Sequence, residues 1–234
     1  LNDLWKYNIS SNMWTEVACG ATGRVGHSSI VHNGEMFVFG GYSYQSSYLN
    51  DLWKYNISSN MWTEVACGAT GRVGHSSIVH NGEMFVFGGY SYQSSYLNDL
   101  WKYNISSNMW TEVACGATRR SGHSSIVHNG EMFVFGGVSY QSTAINDIWK
   151  YNVNSNQWTE VACGATRRYY HSSIVHNGEM FVFGGISYQS SYINDLWRYS
   201  SFPMIQDGDV IPQRHRFNRA KAHLWSNSDN TSNP

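Results

Sequence analysis

The chain has 234 residues, of which 41% are hydrophobic and 15% aromatic, enough apolar material to bury a substantial core and far from the composition of a disordered chain. Only 13% of residues are charged and the formal net charge is −1, so no overall field draws the chain to nucleic acid or to an acidic membrane surface. No apolar run approaches the roughly 18 residues of a membrane span, and the opening "LNDLWKYNIS" has neither an initiating Met nor the apolar stretch of a signal peptide, so the sequence reads as a piece of a longer chain.

In chain order, the first predicted element is a strand over "NDLWKYNI" (Asn2 to Ile9), which turns through "SSN" into a second, "WTEVA" (Trp14 to Ala18). Next, "HSSIVH" (His27 to His32) meets "EMFVFGG" (Glu35 to Gly41) across Asn33-Gly34. An Asn-Gly pair is the strongest short hairpin signal, because both turn residues need positive φ. In "EMFVF", Met36 and Val38 face one way while Phe37 and Phe39 face the other, so this strand is apolar on both faces and is predicted to be sandwiched. Helical periodicity appears nowhere. The "NDLW" or "NDIW" motif then returns at Asn50, Asn98, Asn146 and Asn194, a strict 48-residue period. Residues 1–48 and 49–96 are identical, 97–144 differ from them at five positions and 145–192 at nine, and 193–199 begin a further copy. A four-stranded unit that is apolar on both faces must stack between copies of itself, which is the logic of a propeller blade.

Within each copy a strand ends in Gly-Gly, a Tyr and a Trp follow at fixed spacing ("WKYNISSNMW"), and an Arg and a Gly-His precede the next inner strand ("GRVGH"). In these motifs residues 1 to 199 resemble the kelch-repeat family. The resemblance implies an all-β kelch-type propeller of four-stranded antiparallel blades, with "HSSIVH" innermost and "WTEVA" outermost. Gly40-Gly41 would allow a close approach that a side chain would block, and Tyr7 and Trp14 would fill the gap between blades. Three blades are complete in the sequence (His27 to Ala66, His75 to Ala114, His123 to Ala162) and a fourth, begun at His171, has three strands. Kelch propellers more often close with about five to seven blades, so the expectation is an incomplete arc, or a four-bladed propeller in which Leu1 to Ala18 complete the last blade. After Tyr199 the repeat stops. Residues 200–234 hold all three prolines and four positive charges between Arg214 and Lys221, and are expected to be disordered.

Few residues invite chemistry. Cys19, Cys67, Cys115 and Cys163 occupy one repeat position and read as unpaired, half-buried thiols, which favours a reducing, cytoplasmic setting. Against it stand the sequons at Asn8, Asn56, Asn104 and Asn230, which would accept glycans in a secreted protein. A ring of His27, His75, His123 and His171 has metal-binding residues, but the Gly-His histidine of kelch repeats is ordinarily structural. Asp3 and Glu16 recur in every copy and read as loop-ordering and solvating groups. Acid, base and nucleophile need different environments, which identical blades do not supply. Kelch-like copper-radical oxidases use a Tyr, Cys and His site at the axis, and this chain has no non-repeated Cys for one. No cofactor and no enzymatic activity are expected.

The copies disagree in eleven columns, six of them in two loops: the link from fourth strand to next first strand, and the link from second to third. Gly23, Val25 and Gly26 become Arg119 and Ser121, then Arg167, Tyr169 and Tyr170; Tyr42 becomes Val138 and Ile186; Ser47 and Tyr48 become Thr143 and Ala144. In an up-and-down blade both loops emerge on one rim. Their Arg, Tyr, Ser and Gly content is the mixture that binding loops use. The candidate contact residues are Arg24, Arg72, Arg119, Arg120, Arg167, Arg168, Tyr169, Tyr170, Tyr42 and Tyr90, with Arg favouring acidic groups. The function this points to is a non-enzymatic scaffold that binds a protein or peptide, with a glycan-binding module of a secreted or cell-surface protein as the alternative. No nucleic-acid partner is expected.

Overall fold

A computed structural model describes residues 2–17, 19–65, 67–113, 115–140, 143–161, 165–187, 191–200 and 217–219. The described residues form β-strands, in four antiparallel four-stranded sheets and one hairpin. The hairpin comes first: β1 (Leu4–Asn8) and β2 (Met13–Val17). The first blade is β3 (Ser28–His32), β4 (Glu35–Ser43), β5 (Ser47–Asn56) and β6 (Met61–Val65), paired in that order. The second is β7 (Ser76–His80), β8 (Glu83–Ser91), β9 (Ser95–Asn104) and β10 (Met109–Val113). The third is β11 (Ser124–His128), β12 (Glu131–Phe135), β13 (Ile148–Asn152) and β14 (Gln157–Val161). The fourth is β15 (Ser172–His176), β16 (Glu179–Phe183), β17 (Leu196–Ser200) and β18 (Phe217–Arg219).

The blades are arranged as a four-blade propeller. Their first strands line the inside, β3 against β7, β7 against β11 and β11 against β15. The two-faced strand predicted from "EMFVF" explains the stacking. Ile30, Phe37, Phe39 and Leu52 of the first blade pack on Met84, Val86 and Tyr103 of the second, and the same positions recur at the next two interfaces. Phe39, Phe87 and Phe135 are fully buried there. Tyr103 and Tyr151 fill the gaps as expected, with Trp110 and Trp158 about 5.1 Å from them. Each buried phenol donates to an Asn in the turn that follows (Tyr103 Oη to Asn108 Oδ1, 2.6 Å; Tyr151 Oη to Asn156 Oδ1, 2.6 Å). Tyr7 and Trp14, in the hairpin, stay 42% and 63% exposed.

Asn33, Asn81, Asn129 and Asn177 all have positive φ, as do the glycines that follow them, so the Asn-Gly turns form in every copy. The double glycine is equally required. Gly41 has φ +101, and a Cβ on it would meet the Val25 carbonyl oxygen at 2.9 Å. Within residues 200–234, Phe217–Arg219 pairs with β17 (Tyr199 with Phe217, Trp197 with Arg219) and takes the place of the fourth strand that "WTEV" gives elsewhere. The rest of 201–234 lies outside the described residues. Cys19, Cys67 and Cys115 are unpaired as expected but exposed rather than half-buried; Cys163 lies outside the described residues.

Candidate functional site

The two variable loops do share one rim, and they bond to each other there. Val25 and Tyr42 exchange two backbone hydrogen bonds (3.0 and 2.9 Å), as do Val73 with Tyr90, Ser121 with Val138, and Tyr169 with Ile186. Columns that vary together in the sequence are thus contact partners: Val–Tyr in two blades, Ser–Val in the third, Tyr–Ile in the fourth. In the first two blades, Tyr42 faces Tyr48 and Tyr90 faces Tyr96, ring centroids 5.4 Å apart, and these cross-strand pairs carry β4 and β8 past the glycine bulge into nine-residue strands. Val138 faces Ala144 and Ile186 faces Tyr192 in the others, only single bridges form, and β12 and β16 stop after five residues.

The aromatic rings connect across blades. Tyr44, Tyr42, Tyr48, Tyr90 and Tyr96 form a continuous series with centroid spacings of 5.4 to 5.9 Å. Burial first, then the neighbouring Tyr90 and Tyr42, raise the Tyr48 phenol; burial, then Tyr170, Tyr90 and Tyr169, raise that of Tyr96. These phenols stay neutral, with apolar faces and hydrogen-bonding tips. Tyr169 and Tyr170 pack at 5.2 Å on the last blade. Between the first two blades lies an open groove of about 520 Å³, lined by Ser47, Tyr48, Asn50, Thr70, Tyr92 and Gln93 among others.

Tyr170 is the most unusual residue on this rim. It occupies the column of Gly26, Gly74 and Gly122, whose backbones link blade to blade: Gly74 N–H donates to Gly26 O (2.9 Å), Gly122 N–H to Gly74 O (2.7 Å) and Tyr170 N–H to Gly122 O (2.7 Å). Tyr170 keeps the positive φ of that column (+53°), a conformation bulky side chains avoid, and the residue is 64% exposed. The strain is held without being required by burial.

Four of the ten residues singled out from the sequence lie elsewhere. Arg24, Arg72, Arg120 and Arg168 are 8%, 0%, 0% and 0% exposed, so they are interior staples and not rim contacts. Arg120 shows the design. Its backbone bonds the second blade (Gly89 N–H to Arg120 O, 2.8 Å; Arg120 N–H to Leu97 O, 3.0 Å), while its guanidinium reaches Gly136 O (3.0 Å) and both oxygens of Asp147 (2.7 and 2.8 Å) in the third. Nε also donates to Thr118 O at 3.0 Å. Arg72 pairs with Asp99 and Arg168 with Asp195 in the same way. The sequence offered a signal for this: these four arginines are invariant among the copies, whereas Arg119 and Arg167 replace Gly23 and Gly71. Arg119 and Arg167 are exposed, and Arg119 Nη1 donates to Tyr96 O at 3.1 Å. The same invariance hid Tyr44, Tyr92 and Tyr140 at the loop tips, aromatics that are 94%, 83% and 76% exposed.

His75, His123 and His171 are buried between blades, edge-on to Phe39, Phe87 and Phe135. Ser76 Oγ lies 2.8 Å from His123 Nε2, and Ser124 Oγ the same distance from His171 Nε2. Burial, then Arg72, lower His75 to about 3; burial, then Arg168, lower His171 to about 3; His123 lies well below its ordinary value by burial and Arg120. They are neutral packing groups. Among the described residues, no cluster of three His, Cys, Asp or Glu side chains could hold a metal ion, and no helix is long and apolar enough to cross a membrane.

Blade architecture, the arginine–aspartate staples and the double-glycine strand ends define a repeat propeller, and six of its eleven varied columns lie in the loops of one rim. The family model described as the KLHDC2/KLHL20/DRC7 Kelch-repeats domain matches residues 1–119 and 116–207. The chain belongs to the Kelch-repeat family, whose propellers are typically protein-interaction modules. No curated protein matches it.

Proposed function

We propose that the chain is a non-enzymatic scaffold that binds a protein or peptide through the rim formed by its second-to-third and fourth-to-first strand loops. The carrying observation is the connected tyrosine series, continued by Tyr169 and Tyr170 and flanked by Arg119 and Arg167. Tyrosine offers a large rigid contact at low conformational cost, and a guanidinium on the edge favours an acidic group on the partner. The contact residues on this reading are Tyr42, Tyr90, Arg119, Arg167, Tyr169 and Tyr170, joined by the loop-tip Tyr44, Tyr92 and Tyr140. Tyr170→Gly separates binding from folding, because it restores the residue of the other three copies and relieves roughly 1 kcal/mol of backbone strain. Its stability is expected within about 1 kcal/mol of the parent chain, the lost ring contact offsetting the relief. In quantitative affinity capture, Tyr170→Gly and the pair Arg119→Glu/Arg167→Glu are expected to lose at least tenfold of a partner that the parent chain retains, equivalent to about 1.4 kcal/mol. Unchanged capture by both variants would remove the rim assignment.

A further inference from the structure

The groove between the first two blades carries no charge. Tyr48, Asn50, Thr70, Gly71, Tyr92 and Gln93 line it, and no acidic or basic side chain joins them among the described residues. A glycine keeps it open: a Cβ on Gly71 would meet Tyr48 O at 2.5 Å. In the next copy that column is Arg119, whose Nη1 donates to Tyr96 O (3.1 Å), the carbonyl that corresponds to Tyr48 O, so a long cationic side chain lies where the first groove is clear. Asn50 differs in the same direction. Asn98 and Asn146, at its repeat position, donate to Ala117 O (3.1 Å) and Ala165 O (3.2 Å), whereas Asn50 is exposed and makes no such bond among the described residues. The rings beside the groove form a ridged surface. Tyr42 meets Tyr48 at 74° and Tyr90 meets Tyr96 at 84°, edge to face, and Tyr48 tilts 40° to Tyr90 across the blade boundary.

We propose that this groove and the tyrosine ridge take a proline-rich segment in the polyproline II conformation, an inference that rests on the rim being the binding face. Such a segment presents pyrrolidine rings and carbonyl oxygens that have no partners within the helix, and it arrives already extended, so its ordering costs little. The groove offers the complement: aromatic edges and faces for the rings, and hydroxyl and carboxamide donors on Tyr48, Asn50, Thr70 and Gln93 for the carbonyls. Its lack of charge matches a segment that carries none. The repeat distance matches as well. One polyproline II turn rises roughly 9 Å, and Tyr42 and Tyr90, the same position in successive blades, are linked through Tyr48 by centroid steps of 5.4 and 5.9 Å. Prolines one turn apart can therefore address equivalent positions on adjacent blades. A sugar ring stacks best on a flat aromatic face, and edge-to-face tyrosines supply notches instead.

Fluorescence polarisation of a labelled peptide of about nine prolines, roughly 28 Å long as polyproline II, titrated with the full chain tests this against a Gly/Ser peptide of equal length. Saturable binding of the proline peptide, about tenfold or more tighter than the Gly/Ser peptide, is the expected result. Gly71→Arg installs the residue that the next copy carries as Arg119, and Tyr48→Ala installs the one carried as Ala144, so both columns already accommodate these side chains. Each variant is expected to keep the circular dichroism of the parent and to weaken the proline peptide about tenfold or more; if one variant loses the parent's spectrum, the other decides. A parent chain that does not bind the proline peptide overturns the proposal. So does binding that the folded variants retain, or saturable binding of maltoheptaose in place of the peptide. A chain that loses a captured partner on Tyr170→Gly and yet ignores the proline peptide removes this inference and leaves the rim reading standing, whereas capture unchanged by the rim variants removes the rim reading itself.

Discussion

Arg120→Ala is expected to destabilise the chain by about 3–5 kcal/mol, because it leaves Asp147 as a largely buried charge without its counter-ion. The guanidinium also satisfies the Gly136 and Thr118 carbonyls, and its own backbone ties the second blade to the third. Loss is therefore felt at an interface and not only at one pair. Arg120→Lys is expected to fall well short of rescue, since one ammonium cannot span two carboxylate oxygens and two carbonyls in the fork geometry. Urea unfolding of the parent and both variants measures this. An Arg120→Ala chain within 1 kcal/mol of the parent would show that the staple contributes little.

The second large effect is on pH. His75, His123 and His171 are held neutral in the folded chain, two of them down to about 3, whereas in the unfolded chain each titrates near 6.5. A depressed folded value means that stability is fully present above about pH 6.5 and declines below it, as the unfolded chain takes up protons that the folded chain refuses, until pH nears 3. Between about pH 7.5 and 5.5 each histidine is expected to remove roughly 1.4 kcal/mol, about 4 kcal/mol for the three. His123→Asn is expected to remove about a third of the slope. Unfolding free energies that stay flat between those pH values would contradict the burial of neutral imidazoles.

Much of this fold was readable because the same physical demand recurs in each copy. Asn33-Gly34 and its repeats specified the hairpins through φ, and the two apolar faces of "EMFVF" specified stacking. Period and family resemblance then gave the blade order. The site was only half legible. Variation among copies pointed to the rim loops and Tyr170, and its columns 25 and 42 are paired in the structure. Composition misled at Arg24, Arg72, Arg120 and Arg168, because a guanidinium beside a loop glycine looks the same in sequence whether it points to solvent or bridges to an Asp 27 residues later. β18 was hidden for another reason: nothing in "FNR" resembles "WTEV", and backbone pairing to β17 asks only for an extended segment of the right reach.

The central claim is that the loop rim, and not the opposite end of the blades, is the binding face. Amide hydrogen exchange on the chain alone and saturated with a partner it captures tests this most directly. Protection is expected at residues 42–49, 90–97 and 167–170, with the Asn-Gly turns at 33–34, 81–82 and 129–130 unchanged. Protection confined to those turns, with the tyrosine loops exchanging as they do in the free chain, would contradict it.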